Sequence, residues 1–91
     1  MSRNRQGMNW EVVEVKVELP LSLQVRFQDG TTGKVRFEPS YLTGVFKALQ
    51  DQKVFEQVYV EGGAVAWPDE LDLAPDAMYG EIKNQGEMVL R

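Results

Sequence analysis

The chain has 91 residues, 43% of them apolar, a formal charge of −4, and neither cysteine nor histidine. That composition fits one small globular domain and excludes a disordered chain, a disulfide-stapled scaffold and thiolate metal sites. The missing histidine also removes the commonest general base, the commonest metal ligand and every Ser-His or Cys-His nucleophile pair.

No stretch approaches the roughly 20 apolar residues that span a bilayer. Residues 1–9 are polar where an export signal needs an apolar core, so a cytoplasmic protein with no membrane partner is expected. A negative charge argues against a broad phosphate-binding surface, and Arg3 and Arg5 read as part of a solvated tail. The expected division is a disordered tail over 1–9, a single domain over 10–84 and a frayed end over 85–91.

Residues 12–19 alternate, with Val13, Val15, Val17 and Leu19 facing one way and Glu14, Lys16 and Glu18 the other, the pattern of a half-buried strand. Pro20 interrupts the ladder, and alternation resumes with Leu21, Leu23, Val25 and Phe27. Parity sets the next turn. Directly opposed residues share a face, so Leu23 and Val25 must oppose odd residues of the strand that carries Val35 and Phe37. A two-residue loop violates this rule; a three-residue loop, Gln28, Asp29 and Gly30, with Gly30 left-handed, satisfies it.

After Phe37 the period changes. Leu42, Val45, Phe46 and Leu49 form one helical stripe, with Ser40 as a candidate cap and Gly44 as a point of weakness. Asp51 is positioned to cap a second short turn over residues 52–56. A two-residue Gly62-Gly63 loop then places Val60 opposite Val65 and Val58 opposite Trp67. Pro68 ends that strand, and Pro75 opens a short helix predicted to reach Lys83. The fold class is therefore α+β: a three-stranded antiparallel meander, a broken helix, a two-stranded hairpin and a short C-terminal helix, with helices on the apolar face of the sheet.

Two groups of side chains carry candidate chemistry. Lys16, Arg26, Lys34 and Arg36 share the polar face of the meander, and with Trp10 they form the candidate interaction surface. Trp10 falls out of phase with the inward odd residues and is expected to be exposed, an anchor for a partner or a cover for an edge. Glu14 and Glu18 share the basic residues' face, which favours a mixed, solvated surface. The second group is the acidic cluster Asp69, Glu70, Asp72 and Asp76, whose oxygens suit Mg²⁺ or Ca²⁺ but whose spacing matches no calcium loop. Helix capping explains it more simply. Trp67, Phe27, Phe37, Phe46 and Tyr79 read as core.

Phe27 to Thr31 (Phe-x-Asp-Gly-Thr), Val35 to Pro39, Val45 to Leu49, Val54-Phe55 and above all Val65 to Tyr79 (Val-x-Trp-Pro-x-x-x-Asp-Leu-x-Pro-Asp-x-x-Tyr) resemble the bacterial domain of unknown function family 2442. The likeness covers about residues 10–79. Asp69-Glu70 stands where the family pattern has Asn-Gly or similar. The resemblance implies a small α+β domain without an assigned activity, of the stand-alone kind that lacks a helix-turn-helix and is encoded beside a second small protein. The expectation is therefore a non-catalytic interaction or regulatory module without a cofactor, one half of a toxin–antitoxin-like pair. Its partner is another small protein or a second copy of itself. The alternatives are an acid-dependent enzyme or divalent-metal binder at residues 69–76 and a weak nucleic-acid binder on the sheet.

Overall fold

The structure is a computed structural model and describes residues 10–18 and 20–91. The expected tail over 1–9, with Arg3 and Arg5, and the inward assignment of Leu19 lie outside the described residues. Strands β1 (Val12–Glu18), β2 (Ser22–Phe27) and β3 (Thr32–Phe37) form the antiparallel meander. Leu23 opposes Val35 and Ser22 opposes Arg36, which leaves residues 28–30 as a three-residue loop with Gly30 at φ 91°.

One irregularity shifts the phase of β1. Its pairing with β2 slips between Val12 and Glu14, so two residues of β1 stand against one of β2. Val15 and Val17 keep their inward phase, opposite Val25 and Leu23. Before the bulge the phase inverts: Val12 is 2% exposed and Val13, expected inward, is 41% exposed. Trp10 consequently is half-buried rather than exposed.

The predicted helix after β3 is not an α-helix. Two 3-10 segments, Pro39–Tyr41 and Gly44–Gln50, replace it, and they are parted at Gly44, whose φ of 58° no ordinary helical residue adopts. Ser40 lies inside the first segment and caps nothing. At three residues per turn Phe46 and Leu49 share a face, whereas Val45 rotates off it to 73% exposure. The Gln50 side chain donates to the Leu42 carbonyl at 2.7 Å, satisfying backbone that the break leaves open. Asp51 caps α1 (Gln52–Phe55) as expected, its side chain accepting from the Lys53 N–H at 2.9 Å.

Strands β4 (Tyr59–Glu61) and β5 (Ala64–Trp67) form the Gly62-Gly63 hairpin, both glycines at positive φ, with Val60 opposite Val65. A second turn over residues 68–70 returns the chain as β6 (Leu71–Asp72), giving a small sheet ordered β4-β5-β6. Helix α2 (Pro75–Gln85) starts on Pro75 and stops at Gly86, a left-handed cap whose N–H donates to the Ile82 carbonyl. The chain beyond it, expected to fray, forms β7 (Glu87–Leu90), which pairs parallel to β3 and completes a sheet ordered β1-β2-β3-β7.

The core lies between the large sheet and the elements that cross it. Leu23, Val25, Phe27, Val35 and Phe37 from the sheet meet Leu42, Leu49, Phe55, Val65, Trp67, Met78 and Ile82. Phe37 stands edge-on to Phe55 and Trp67 at 5.4 and 6.1 Å between centroids, geometries the aromatic quadrupole favours. Trp67 donates its indole N–H to the Phe55 carbonyl at 2.9 Å, so the largest buried side chain leaves no polar atom unpaired. Phe46 and Tyr79 pack at the margin of this core rather than inside it. Helix α2 approaches β3 at Gly33, where a Cβ would sit 2.4 Å from Ile82 Cγ2.

Candidate functional site

The register brings Lys16, Arg26, Lys34 and Arg36 onto one face of the large sheet. Lys16 pairs through Gln24 to Lys34, and Arg36 lies beside Ser22. The acids of the same face divide this group: Arg26 Nε meets Glu14 Oε1 at 3.1 Å, Lys34 Nζ meets Glu18 Oε1 at 3.4 Å, and Glu87 of β7 opposes Lys34 from the other side. Exposed pairs of this kind contribute about 0–1 kcal/mol each, but they interrupt any continuous basic track. Trp10 sits before β1, half-buried, and carries no argument for an aromatic anchor on that face.

The acidic group disperses over three elements. Asp69 and Glu70 occupy the turn after Pro68 with φ of 69° and 66°, Asp72 stands in β6 opposite Ala66, and Asp76 lies in the first turn of α2. Among the described residues no group of three or more His, Cys, Asp or Glu side chains is arranged to hold a metal ion. The geometry therefore lends the metal-binding alternative no support. Asp76 near the positive end of α2 fits the helix dipole instead.

The motif residues that stand out in the sequence meet one another in the structure. Tyr79 packs edge-on against Phe27 at 5.1 Å between centroids, and its hydroxyl donates to Asp29 Oδ2 at 2.5 Å across 50 positions of sequence. Asp29 Oδ1 accepts the Thr31 N–H at 2.9 Å. The Tyr79 hydrogen bond, then that of Thr31, holds the Asp29 carboxyl down at about 2, and the same Asp29 bond pushes the Tyr79 hydroxyl up. These groups tie the β2–β3 turn to α2. Their chemistry is that of a structural latch.

The surface with the most unexplained features surrounds Leu71, which sequence reasoning did not single out. Leu71 lines two open depressions. One, of about 520 Å³, has apolar walls: Val45, Ala48, Val54 and Pro68, with Gln57 and Asp69 at its edge. The other, of about 400 Å³, is acidic and aromatic, formed by Tyr59, Glu61, Glu70 and Asp72 beside Trp67 and Ala66. Tyr59 donates to Glu61 Oε1 at 3.0 Å, and that bond raises the Tyr59 hydroxyl above its ordinary range. Residues 51–76 carry seven carboxylates against the single Lys53, a formal −6 in a chain whose total is −4. Four of these carboxylates, Glu61, Asp69, Glu70 and Asp72, line the depressions around Leu71, where their charge favours a cationic group.

The fold is that of a small α+β domain. A family description, Protein of unknown function (DUF2442), matches residues 12–84, and the chain belongs to that family. No curated protein and no solved structure matches it. Among the described residues no helix is long and apolar enough to cross a membrane.

Proposed function

We propose that the protein is a non-catalytic interaction module that binds a basic, partly apolar segment of a partner protein across Leu71. The observation that carries this reading is the exposure of Val45, 73%, in an apolar wall that runs into an acidic one. An apolar side chain of the partner would fill the Val45, Ala48, Val54 and Pro68 depression, and a neighbouring lysine or arginine would face Glu61, Glu70 and Asp72. Such a site joins an apolar anchor to charge complementarity, the combination that gives interfaces both affinity and specificity. The partner we have in mind is a second small protein, in the manner of a toxin–antitoxin-like pair, and the family resemblance suggests one encoded in a neighbouring gene. A chain without cysteine suits a reducing compartment, and we place the module in the cytoplasm.

The test is co-expression with the neighbouring gene product, followed by size-exclusion chromatography of the mixture. Co-elution that is lost with Val45→Glu and retained with Arg26→Ser/Lys34→Ser/Arg36→Ser supports the site. Val45 is solvated, so its replacement leaves the core intact. Independent elution of two folded proteins, or a complex insensitive to Val45→Glu, overturns it.

A further inference from the structure

A second surface, separate from the Leu71 groove, is the outer edge of β7. Among the described residues strand β7 terminates the large sheet, and none of their strands lies on the outer side of its backbone. The Glu38 N–H donates to the Leu90 carbonyl at 2.7 Å, which turns the N–H and C=O groups of Met88 and Leu90 toward β3. Alternation along a strand then turns those of Glu87, Val89 and Arg91 outward. Protected edges carry lysine, proline, a bulge or a covering loop; residues 87–90, Glu-Met-Val-Leu, carry no lysine, proline or bulge and pair with β3 in unbroken register.

The space beside this edge is shaped as well. A groove of about 620 Å³ runs between β7 and α2, lined by Ala77, Gly80 and Asn84 on the helix and Met88 and Val89 on the strand, with Asp76 and Glu81 also bordering it. Ala77, Gly80 and Asn84 recur at helical spacing on one face, and among the described residues, apart from its chain neighbours and the adjoining helix backbone, nothing lies within 4 Å of the place a Cβ on Gly80 would occupy.

We propose that β7 pairs antiparallel with β7 of a second copy about a two-fold axis at Val89, joining two four-stranded sheets into one. The register follows from charge and burial. With Val89 opposite its own symmetry mate, Glu87 of each copy faces Arg91 of the other on the polar side, and Met88 faces Leu90 on the core side. Each contact occurs twice, as an isologous interface requires. The outward backbone groups of Glu87, Val89 and Arg91 are the ones this register uses, because directly opposed residues with inward-facing amides form the hydrogen-bonded pairs. The two α2 helices then run side by side over the joined sheet, and Gly80 with Ala77 permits their close approach. A dimer of this form leaves the Leu71 groove of each copy open.

The experiment is sedimentation equilibrium of the intact chain together with a cross-linking pair. The wild type is expected to dimerise reversibly in the micromolar range. Val89→Pro, whose lost N–H faces outward and spares the β3 ladder, is expected to abolish the dimer while circular dichroism stays unchanged. Arg91→Glu replaces two attractive cross-strand pairs by two repulsive ones and is expected to weaken the dimer by about tenfold or more. In a chain without cysteine, Val89→Cys brings two thiols onto residues whose Cα atoms lie about 5.5 Å apart in a hydrogen-bonded pair, within disulfide reach. Mild oxidation is expected to give a covalent dimer with Val89→Cys and none with Lys47→Cys, an exposed site elsewhere. A wild type that stays monomeric at high micromolar concentration overturns the proposal. So does a dimer that survives both Val89→Pro and Arg91→Glu, or one that Val89→Cys fails to trap.

Discussion

Glu70→Gly is expected to stabilise the protein although it removes a side chain and adds no contact. Asp69 and Glu70 both sit in the left-handed region, at φ 69° and 66°, between the paired residues Trp67 and Leu71. A side chain with a Cβ loses about 1–2 kcal/mol there, with aspartate at the low end because it tolerates this region better than glutamate. Glycine avoids the clash, but its freer unfolded chain returns about 0.5–1 kcal/mol. The net gain for Glu70→Gly is therefore about 0.5–1 kcal/mol, a rise in melting temperature of about 2–8 °C for a domain of this size. Glu70→Ala separates the backbone effect from loss of the carboxylate, since alanine keeps the Cβ and the strain. Thermal melts followed by circular dichroism at neutral pH decide it. A Glu70→Gly melting temperature equal to or below that of Glu70→Ala would refute the reasoning and with it the left-handed turn.

Gly33→Ala is expected to destabilise by about 1–3 kcal/mol, because its Cβ meets Ile82 Cγ2 at 2.4 Å and α2 must move; in denaturant titrations the loss should shrink when combined with Ile82→Ala, and strict additivity would count against the contact. Tyr79→Phe is expected to flatten the acid limb of the stability curve. The folded pKa of Asp29 is depressed, so its contribution is present above 3.8 and lost as pH falls toward about 2, and removing the Tyr79 hydroxyl removes the largest cause of that depression. Urea melts across that range check it, and an unchanged slope contradicts the latch. Millimolar Mg²⁺ or Ca²⁺ is expected to leave the melting temperature unchanged, whereas a ligand at 100 times its dissociation constant adds about 2.7 kcal/mol; a rise abolished by Asp72→Asn would restore the metal reading.

Hairpin registers were legible because the side-chain period of a strand is two and a wrong loop length sends every apolar residue outward. Gly30, Gly62 and Gly63 then supplied the conformations those loops need. Periodicity misled where the helix was not α: the Leu42, Val45, Phe46 and Leu49 stripe fits 3.6 residues per turn, and Gly44 left the chain with 3-10 turns that expel Val45. Two adjacent valines, Val12 and Val13, were the available sign of the bulge, since one regular face has room for only one of them. Strand β7 had its signal in Gly86 followed by Met88 and Leu90, but a four-residue strand at a chain end has no local partner to fix it. The groove at Leu71 was not legible, because it joins residues from the 3-10 segment, α1, the hairpin and the turn after Pro68, which only the tertiary fold brings together. The Tyr79–Asp29 bond stayed hidden for the same reason.

Amide hydrogen exchange, with and without the small protein proposed as partner, tests the central claim, the proposal that the Leu71 surface is a protein-binding site. A partner that binds only the folded form slows exchange at the backbone it covers. The account predicts added protection over residues 44–61 and 67–72, and none over Lys16, Arg26, Lys34 and Arg36. Protection confined to the polar face of the large sheet, or absent from the Leu71 surface, would contradict it.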